Sequence, residues 1–185
     1  MVGKYRLGIQ IVILIICSFI GFKLSHFLNQ NYQVSVVVGE SMAPSFSSGN
    51  IVVLKKNVEK ISLDLGDVIV FRREFSDKKR FTKRIVGIPG TKVERSDSYI
   101  KVGGRTYDLS FQRGRLDVKD VLYEIIPEAS YFVVGDNLNK SYDSRHFQYD
   151  RSIGRNYIYF REIDGVVSFI LWPFWKVGWK EMDRL

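Results

Sequence analysis

The stretch from Leu7 to Phe22 reads LGIQIVILIICSFIGF, and only Gln10 and Ser18 within it are plainly polar. As a helix it spans about 24 Å, and extending it over residues 5–28 reaches the ~30 Å thickness of a bilayer core. A cleaved secretory signal and a buried core helix are the alternatives. The small-residue pair of a signal cleavage site is missing, and a helix apolar on all faces needs a larger surrounding domain. Residues 1–29 are therefore predicted to form a short stub and one transmembrane anchor.

The charges that flank this stretch predict its orientation. Lys4 and Arg6 precede the span, whereas Lys23 alone follows it closely. Because positive charge is retained on the cytoplasmic side, the N-terminus is expected in the cytoplasm. Residues 30–185 then form an extracytoplasmic domain.

Composition limits what this domain can be. The chain has 185 residues, a net charge of +8, 45% hydrophobic and 26% charged residues, one cysteine and two histidines. These values suit one folded domain with an appendage, and they exclude wholesale disorder and an intrachain disulfide. A zinc site of the Cys/His type is not expected. The positive charge suits nucleic acid or anionic lipid, and the predicted orientation disfavours nucleic acid.

After the anchor the sequence breaks into short β-branched and aromatic runs separated by turn signals such as Pro89-Gly90 and Gly103-Gly104. The predicted strands are Gln33–Val38, Ile51–Leu54, Val68–Phe71, Phe81–Val86, Tyr99–Val102, Tyr131–Val134 and Val166–Leu171. This spacing predicts a mainly β domain, an antiparallel β-sheet or a barrel-like arrangement. Residues 108–120 are predicted to be a polar loop. Residues 169–179, rich in Trp and Phe, suit either an interfacial belt or a strand that closes the core.

The segment Gly39-Glu-Ser-Met-Ala-Pro44 directly follows a predicted strand. A serine placed in such a turn exposes its hydroxyl beside free backbone N–H groups, which can stabilise an oxyanion. Ser41 is therefore a candidate nucleophile, although serine in a Gly/Pro turn is also ordinary turn chemistry.

A serine nucleophile needs a base, and the sequence offers His146 or Lys83. In a strand over residues 80–86, Lys83 shares a face with Phe81 and Ile85. Burial there would lower the lysine pKa and make the neutral amine available, whereas a surface lysine on a basic strand is the alternative. A third segment, GDNLNKSYDSR over residues 135–145, supplies polar groups able to orient a lysine amine and an Asp–Arg pair able to brace the loop.

Four segments in order resemble the conserved boxes of type I signal peptidases, the membrane-bound Ser/Lys endopeptidases of the bacterial secretion pathway. They are Gly39–Pro44, Gly66-Asp-Val-Ile-Val70, Lys83-Arg-Ile-Val-Gly-Ile-Pro-Gly90 and Gly135–Arg145. The preceding anchor and Leu171-Trp-Pro173 extend the resemblance over nearly the whole chain. The compact length and single span are similar to the Gram-positive form of the family.

This resemblance implies Ser41 as nucleophile, Lys83 as general base and Ser141 as a hydrogen-bond partner of the lysine. It implies that Gly39 contributes main chain to the oxyanion hole, where some members place a serine hydroxyl. Supporting charged residues are Asp136, Asp143, Arg145 and Arg84, and the residues implied around the substrate are Val37, Met42 and Phe81. The implied partners are signal peptides of exported preproteins and membrane lipid, with no cofactor, metal or nucleic acid.

Ser45-Phe46 stands where Thr-Leu is common in the family, and Leu138 and Gln148 replace a frequent Arg and Gly. These departures concern local packing and rate. The alternative function is a non-enzymatic or substrate-dedicated assembly factor for pili or surface proteins on the same scaffold. Retention of Ser41 and Lys83 disfavours the non-enzymatic form, whereas an active enzyme dedicated to few substrates stays open. A self-cleaving Ser/Lys repressor would need a DNA-binding helix-turn-helix where this chain has an apolar span.

Overall fold

A computed structural model describes residues 2–60, 62–73, 79–96, 98–109, 122–147 and 155–173 of the chain. One long helix is followed by two antiparallel sheets, which confirms the predicted fold class. The elements are α1 (Val2–Asn31), β1 (Tyr32–Val36), β2 (Ile51–Lys55), β3 (Val68–Arg72), β4 (Arg80–Gly87), β5 (Lys92–Arg95), β6 (Tyr99–Val102), β7 (Arg105–Asp108), β8 (Leu122–Ile125), β9 (Ser130–Val134), α2 (Ser144–Phe147), β10 (Ile158–Tyr159) and β11 (Ile163–Trp172).

The helix α1 keeps its apolar side chains away from the rest of the molecule. Their exposed fractions run from 46% at Leu28 to 69% at Phe22. Gly8–Asn31 is long and apolar enough to cross a membrane, and none of it is buried. The alternative of a buried core helix is therefore wrong for this chain. The helix also continues to Asn31, two residues beyond the predicted boundary.

The larger sheet has seven strands in the order β1-β2-β11-β3-β4-β9-β10, and the smaller has four in the order β7-β6-β5-β8. The strand β3 is central to the larger sheet, and its side chains alternate between two cores. Ile69 and Phe71 pack in one core, and Val68 and Val70 pack in the other. A third core lies between the smaller sheet and β9, to which β9 contributes Phe132 and Val134.

The strand boundaries differ from the prediction at both ends of the domain. β1 begins at Tyr32 and ends at Val36, because the chain turns away before Gly39, whose φ is +91°. β11 is longer than predicted, since it pairs with both β2 and β3 through register shifts. The strands β5, β7, β8 and β10 were not predicted. Charged residues interrupt the apolar pattern of β5 and β7, the side chains of β8 are mostly exposed, and β10 has only two residues. The predicted loop at 108–120 and the end of the aromatic tail lie largely outside the described residues.

Candidate active site

Ser41 lies in the turn that follows β1. The Val37 N–H donates to the Asn50 carbonyl at 2.8 Å, so the chain stays paired with the residue before β2 until it enters this turn. The Ser41 carbonyl accepts the Asn137 N–H at 3.0 Å, which ties this turn to the loop after β9. The N–H of Ser41 has no acceptor within the described part of the chain. The N–H of Gly39 is directed at Ser48 Oγ, 3.4 Å away.

Lys83 lies in the middle of β4, opposite Ile69 of β3, and only 3% of it is exposed. Two residues earlier, Phe81 stands opposite Phe71, and their rings stack at 5.7 Å. The Lys83 Nζ lies 2.8 Å from Ser41 Oγ and donates to the Thr82 carbonyl at 2.9 Å. The strand therefore delivers a buried amine directly to the serine hydroxyl.

Burial lowers the pKa of Lys83 to about 8, because an ammonium group loses its hydration in this position. The carboxylates of Asp143 and Asp136 act in the opposite direction, and Arg145 reinforces the lowering. At pH 7 about a tenth of the amine is then neutral and able to accept a proton, far more than for an ordinary lysine.

The loop after β9 is built around a buried ion pair between Asp143 and Arg145, 2.9 Å apart. Asp143 also accepts the N–H of Gly135 at 3.0 Å, and Arg145 donates to the Leu138 carbonyl at 2.9 Å. Burial acts to raise the pKa of Asp143, but the nearby His146 ring, the hydrogen bonds from Arg145 and the Gly135 N–H outweigh it and hold that pKa well below its usual range. The loop is thus fixed from inside by charge-assisted hydrogen bonds.

Arg84 joins the segments that the sequence singled out. Its guanidinium binds both carboxylate oxygens of Asp136, at 2.8 and 2.6 Å, and donates to the Gly66 carbonyl at 2.8 Å. The geometry is bidentate, and the two side chains are mostly buried. The pair connects β4, the turn before β3 and the loop that begins at Gly135.

Ser141 and its hydroxyl are buried. In the described part of the chain Ser141 Oγ has no hydrogen-bond partner, so the implied bond to Lys83 is not formed in this conformation. A Cβ added to Gly135 would lie 2.2 Å from Ser141 Oγ and 2.4 Å from the Ser41 carbonyl oxygen. Gly135 therefore lets the strand end approach both serines.

A cleft of about 300 Å³ opens beside Ser41 and Lys83. The residues implied around the substrate, Val37, Met42 and Phe81, all line it. Val37 and Met42 are buried in the core under the cleft, and Phe81 is partly buried. The cleft runs between the end of β1 and the beginning of β4.

His146, the alternative base, lies elsewhere in this arrangement. Its Nδ1 is 3.6 Å from Asp143 Oδ1, and its ring packs on Tyr142. Ser41 Oγ is bonded to Lys83 instead.

Two contributors were missed from the sequence. Gly135 had a signal, since it opens the quoted segment, whereas the Thr82 carbonyl that holds Nζ is backbone and carries no sequence signal.

Comparison with known proteins identifies the family. The profile described as "Signal peptidase, peptidase S26" matches residues 6–172. Signal peptidase I of Bacillus caldolyticus is 33% identical over 166 residues, covering 80% of this chain and 82% of that protein. Signal peptidase IB of Staphylococcus aureus strain Mu50 is 33% identical over 156 residues, covering 75% and 76%.

A crystal structure of a signal peptidase I from Enterococcus faecalis V583 is also similar, at 24% identity and a TM-score of 0.38, covering 58% of this chain and 97% of that one. The family assignment rests on the sequence matches, and the matched residues 6–172 include most of α1, both candidate catalytic residues and β11. The chain belongs to the signal peptidase family, the serine peptidases of family S26.

Proposed function

We propose that this protein is a membrane-anchored serine endopeptidase that removes signal peptides from exported preproteins, with Ser41 as nucleophile and Lys83 as general base. The observation that carries the proposal is the 2.8 Å approach of Lys83 Nζ to Ser41 Oγ in a site that lowers the lysine pKa to about 8. Membership of the signal peptidase family supports the substrate class. The same contact disfavours a non-enzymatic assembly factor, because such a protein does not require a lysine with a lowered pKa beside a serine.

In the proposed reaction, neutral Lys83 Nζ takes the proton of the Ser41 hydroxyl while Oγ bonds to the scissile carbonyl carbon. The negative charge on the carbonyl oxygen is stabilised by the free Ser41 N–H and by main chain near Gly39. The C–N bond then breaks as the lysine ammonium returns its proton to the departing amine. Water then attacks the carbonyl carbon of the acyl-enzyme and gives a proton to Nζ. The ester C–O bond breaks as Nζ returns that proton to Ser41 Oγ, which restores the free enzyme.

The edge position of β1 supports extended binding of the substrate. β1 is the first strand of the larger sheet, and its other edge is free in the described part of the chain. A substrate strand added there would place alternate side chains against the cleft. Residues −1 and −3 before the cut would face Val37, Met42 and Phe81, which leaves room for small side chains. This geometry supports the proposed cleavage after a small-x-small motif.

We further propose that residues 1–29 form the stub and membrane anchor, and residues 30–185 an extracytoplasmic peptidase domain. The exposed apolar surface of α1 supports the anchor, because those side chains are otherwise left in water. The flanking charges Lys4 and Arg6 support a cytoplasmic N-terminus.

The test uses the full-length protein in detergent and a fluorogenic peptide with Ala at −3 and −1. Ser41→Ala and Lys83→Met should each lower kcat/KM by at least ~10²–10⁴-fold, since each removes one half of the dyad. Ser62→Ala and Lys101→Met, at exposed positions, are the matched controls and should keep wild-type rates. Lys83→Arg should fail like Lys83→Met, because guanidinium stays protonated. An active Ser41→Ala enzyme would refute the proposal.

A further inference from the structure

A second concave surface lies where the end of α1 meets the larger sheet. This groove has a volume of about 880 Å³. Its floor is a row of directly opposed residues on three strands, Val34 of β1, Val53 of β2 and Phe169 of β11. Phe27 and Leu28 of α1 form its wall. All of these side chains are apolar, and all but Val53 are exposed.

The wall of the groove is held in place by hydrogen bonds from the end of β2 to the last turn of α1. The Lys56 N–H donates to the Asn31 carbonyl at 2.7 Å, and the Lys56 ammonium donates to the Asn29 carbonyl. The Asn57 amide reaches the Gln30 carbonyl at 3.4 Å. These bonds satisfy carbonyls that a helix end otherwise leaves unpaired, and the lysine charge suits that end of the helix dipole. The groove is therefore preformed.

The groove and the catalytic cleft are connected by a single strand. Val34 lies in the groove, and residues 35–38 line the cleft beside Ser41. Four residues of extended chain separate Val34 from Val38, a distance of about 13 Å. A substrate paired along this edge with its −1 residue at the cleft would therefore reach the groove about five residues before the cut.

We propose that the groove receives the carboxyl-terminal end of the apolar segment that precedes the cleavage site in the substrate. This inference rests on the proposed function. The apolar segment of a signal peptide would leave its contacts with lipid or water and pack against Val34, Phe169 and Phe27. The residues that follow it would extend along β1 to Ser41. The groove thereby sets the spacing between the end of the apolar segment and the cut bond.

The shape of the surface favours a peptide over the bilayer itself. A groove walled by Phe27 and Leu28 accepts a narrow chain, whereas a flat lipid surface would meet protruding side chains. The groove is continuous with the cleft along β1, so a peptide that pairs with β1 would bind in a defined register. A lipid has no peptide backbone that could pair with the strand. Bilayer contact is the competing outcome of the test.

The experiment compares two peptides that share residues −5 to +3 and differ upstream. One carries ten Leu/Ala residues ending at −6, and the other carries ten Ser/Gly residues. In detergent, Phe169→Ser and Val34→Ser should each lower the ratio of kcat/KM for the apolar peptide over that for the polar peptide by roughly tenfold, because each removes an apolar contact. Leu122→Ser, at an exposed apolar position of β8 in the other sheet, should leave the ratio unchanged.

A second measurement locates the occupant directly. A benzophenone group at −7 of the apolar peptide should crosslink to residues of the groove in the Ser41→Ala enzyme, and one at −2 should not.

An unchanged ratio in both groove variants, or an equal fall on both peptides, would overturn the inference. A fall that appears only in phosphatidylglycerol vesicles and not in detergent would assign the groove to the bilayer and overturn it as well. Failure of the wild type to cut either peptide, or full activity of Ser41→Ala, would instead refute the proposed function.

Discussion

At the scale of single residues, the proposed chemistry depends on one buried lysine. Lys83 is buried between strands, and its closest polar partners are the Ser41 hydroxyl and the Thr82 carbonyl. Neither partner is a full negative charge, so burial dominates and the pKa of the amine falls to about 8. Asp136 and Asp143 are near enough to moderate that fall, and each is already engaged by an arginine.

The first prediction concerns the pH dependence of cleavage. Because only the neutral amine acts as a base, kcat/KM should rise with pH and reach half its maximum near pH 8. Asp136→Asn removes a charge that raises the pKa of Lys83, so the acid limb should move to lower pH. Rates measured from pH 6 to 10 check this, with Glu94→Gln in the smaller sheet as the control. Movement of the limb to higher pH would contradict the electrostatic account.

The second prediction concerns Gly135. In Gly135→Ala the new methyl group would overlap Ser141 Oγ and the Ser41 carbonyl, so the loop or the serine must shift. Overpacking of this kind costs roughly 1–3 kcal/mol, and we expect kcat/KM to fall at least tenfold. Gly21→Ala is the matched control, since nothing lies within 4 Å of its added Cβ. Equal kinetics for the two variants would show that the end of β9 can accommodate a Cβ at residue 135, contrary to the prediction.

At the scale of elements, the loop between β9 and α2 owes its shape to a charge pair and not to an apolar core. Asp143 and Arg145 are both buried, and their hydrogen bonds run to Gly135 and Leu138 at the other end of the loop. Such a pair adds little stability compared with apolar side chains in both positions, but loss of one partner leaves the other charge buried without a counter-ion. The loop is therefore sensitive to single substitutions.

The third prediction tests this sensitivity. Arg145→Met should lower the free energy of unfolding by about 3–5 kcal/mol, because the Asp143 carboxylate loses its cation. Arg72→Met is the control, since Arg72 pairs with Asp164 while 61% of its side chain is exposed, and a loss of about 1 kcal/mol or less is expected. Urea denaturation of both variants gives the comparison. Similar losses for the two would mean that the buried pair does not hold the loop.

At the scale of the whole molecule, hydrogen bonds join the end of an apolar helix to a β domain. The last turn of α1 is bonded to Lys56 and Asn57, immediately after β2. The helix end, the free edge of β1 and the cleft beside Ser41 thus follow one another along a short path. With the helix in a bilayer, this path would bring the cleft close to the membrane surface.

The fourth prediction follows from this architecture and from the charges before the span. Protease added to intact spheroplasts should digest the chain beyond Asn31 and leave the N-terminal stub protected. Immunoblotting with tags at either end distinguishes the two segments, and lysed spheroplasts provide the control for accessibility. Digestion of the stub alone in intact cells would reverse the proposed orientation.

The sequence alone determined the class of fold, because its evidence is local. The run Leu7–Phe22 is apolar on every face of a helix and is long enough to suggest a membrane span. The alternation around Lys83 predicts a strand with one apolar face. The four segments also identified the family before any coordinate was known, since their order along the chain needs no folding to be read. The strands β5 and β7 escaped prediction because charged residues interrupt their apolar pattern, and β8 because its apolar side chains do not alternate with polar ones.

Only the tertiary structure decided how the segments meet. Ser41 and Lys83 are 42 residues apart, and their contact depends on the turn after β1 folding over β4. The lowered pKa of Lys83 depends on its burial, and that burial depends on the neighbouring strands and not on the sequence of β4 alone. The groove at the end of α1 arises from three strands and a helix that no local pattern connects. Long-range packing creates these distances, and it is the physical reason that they could not be read from the sequence.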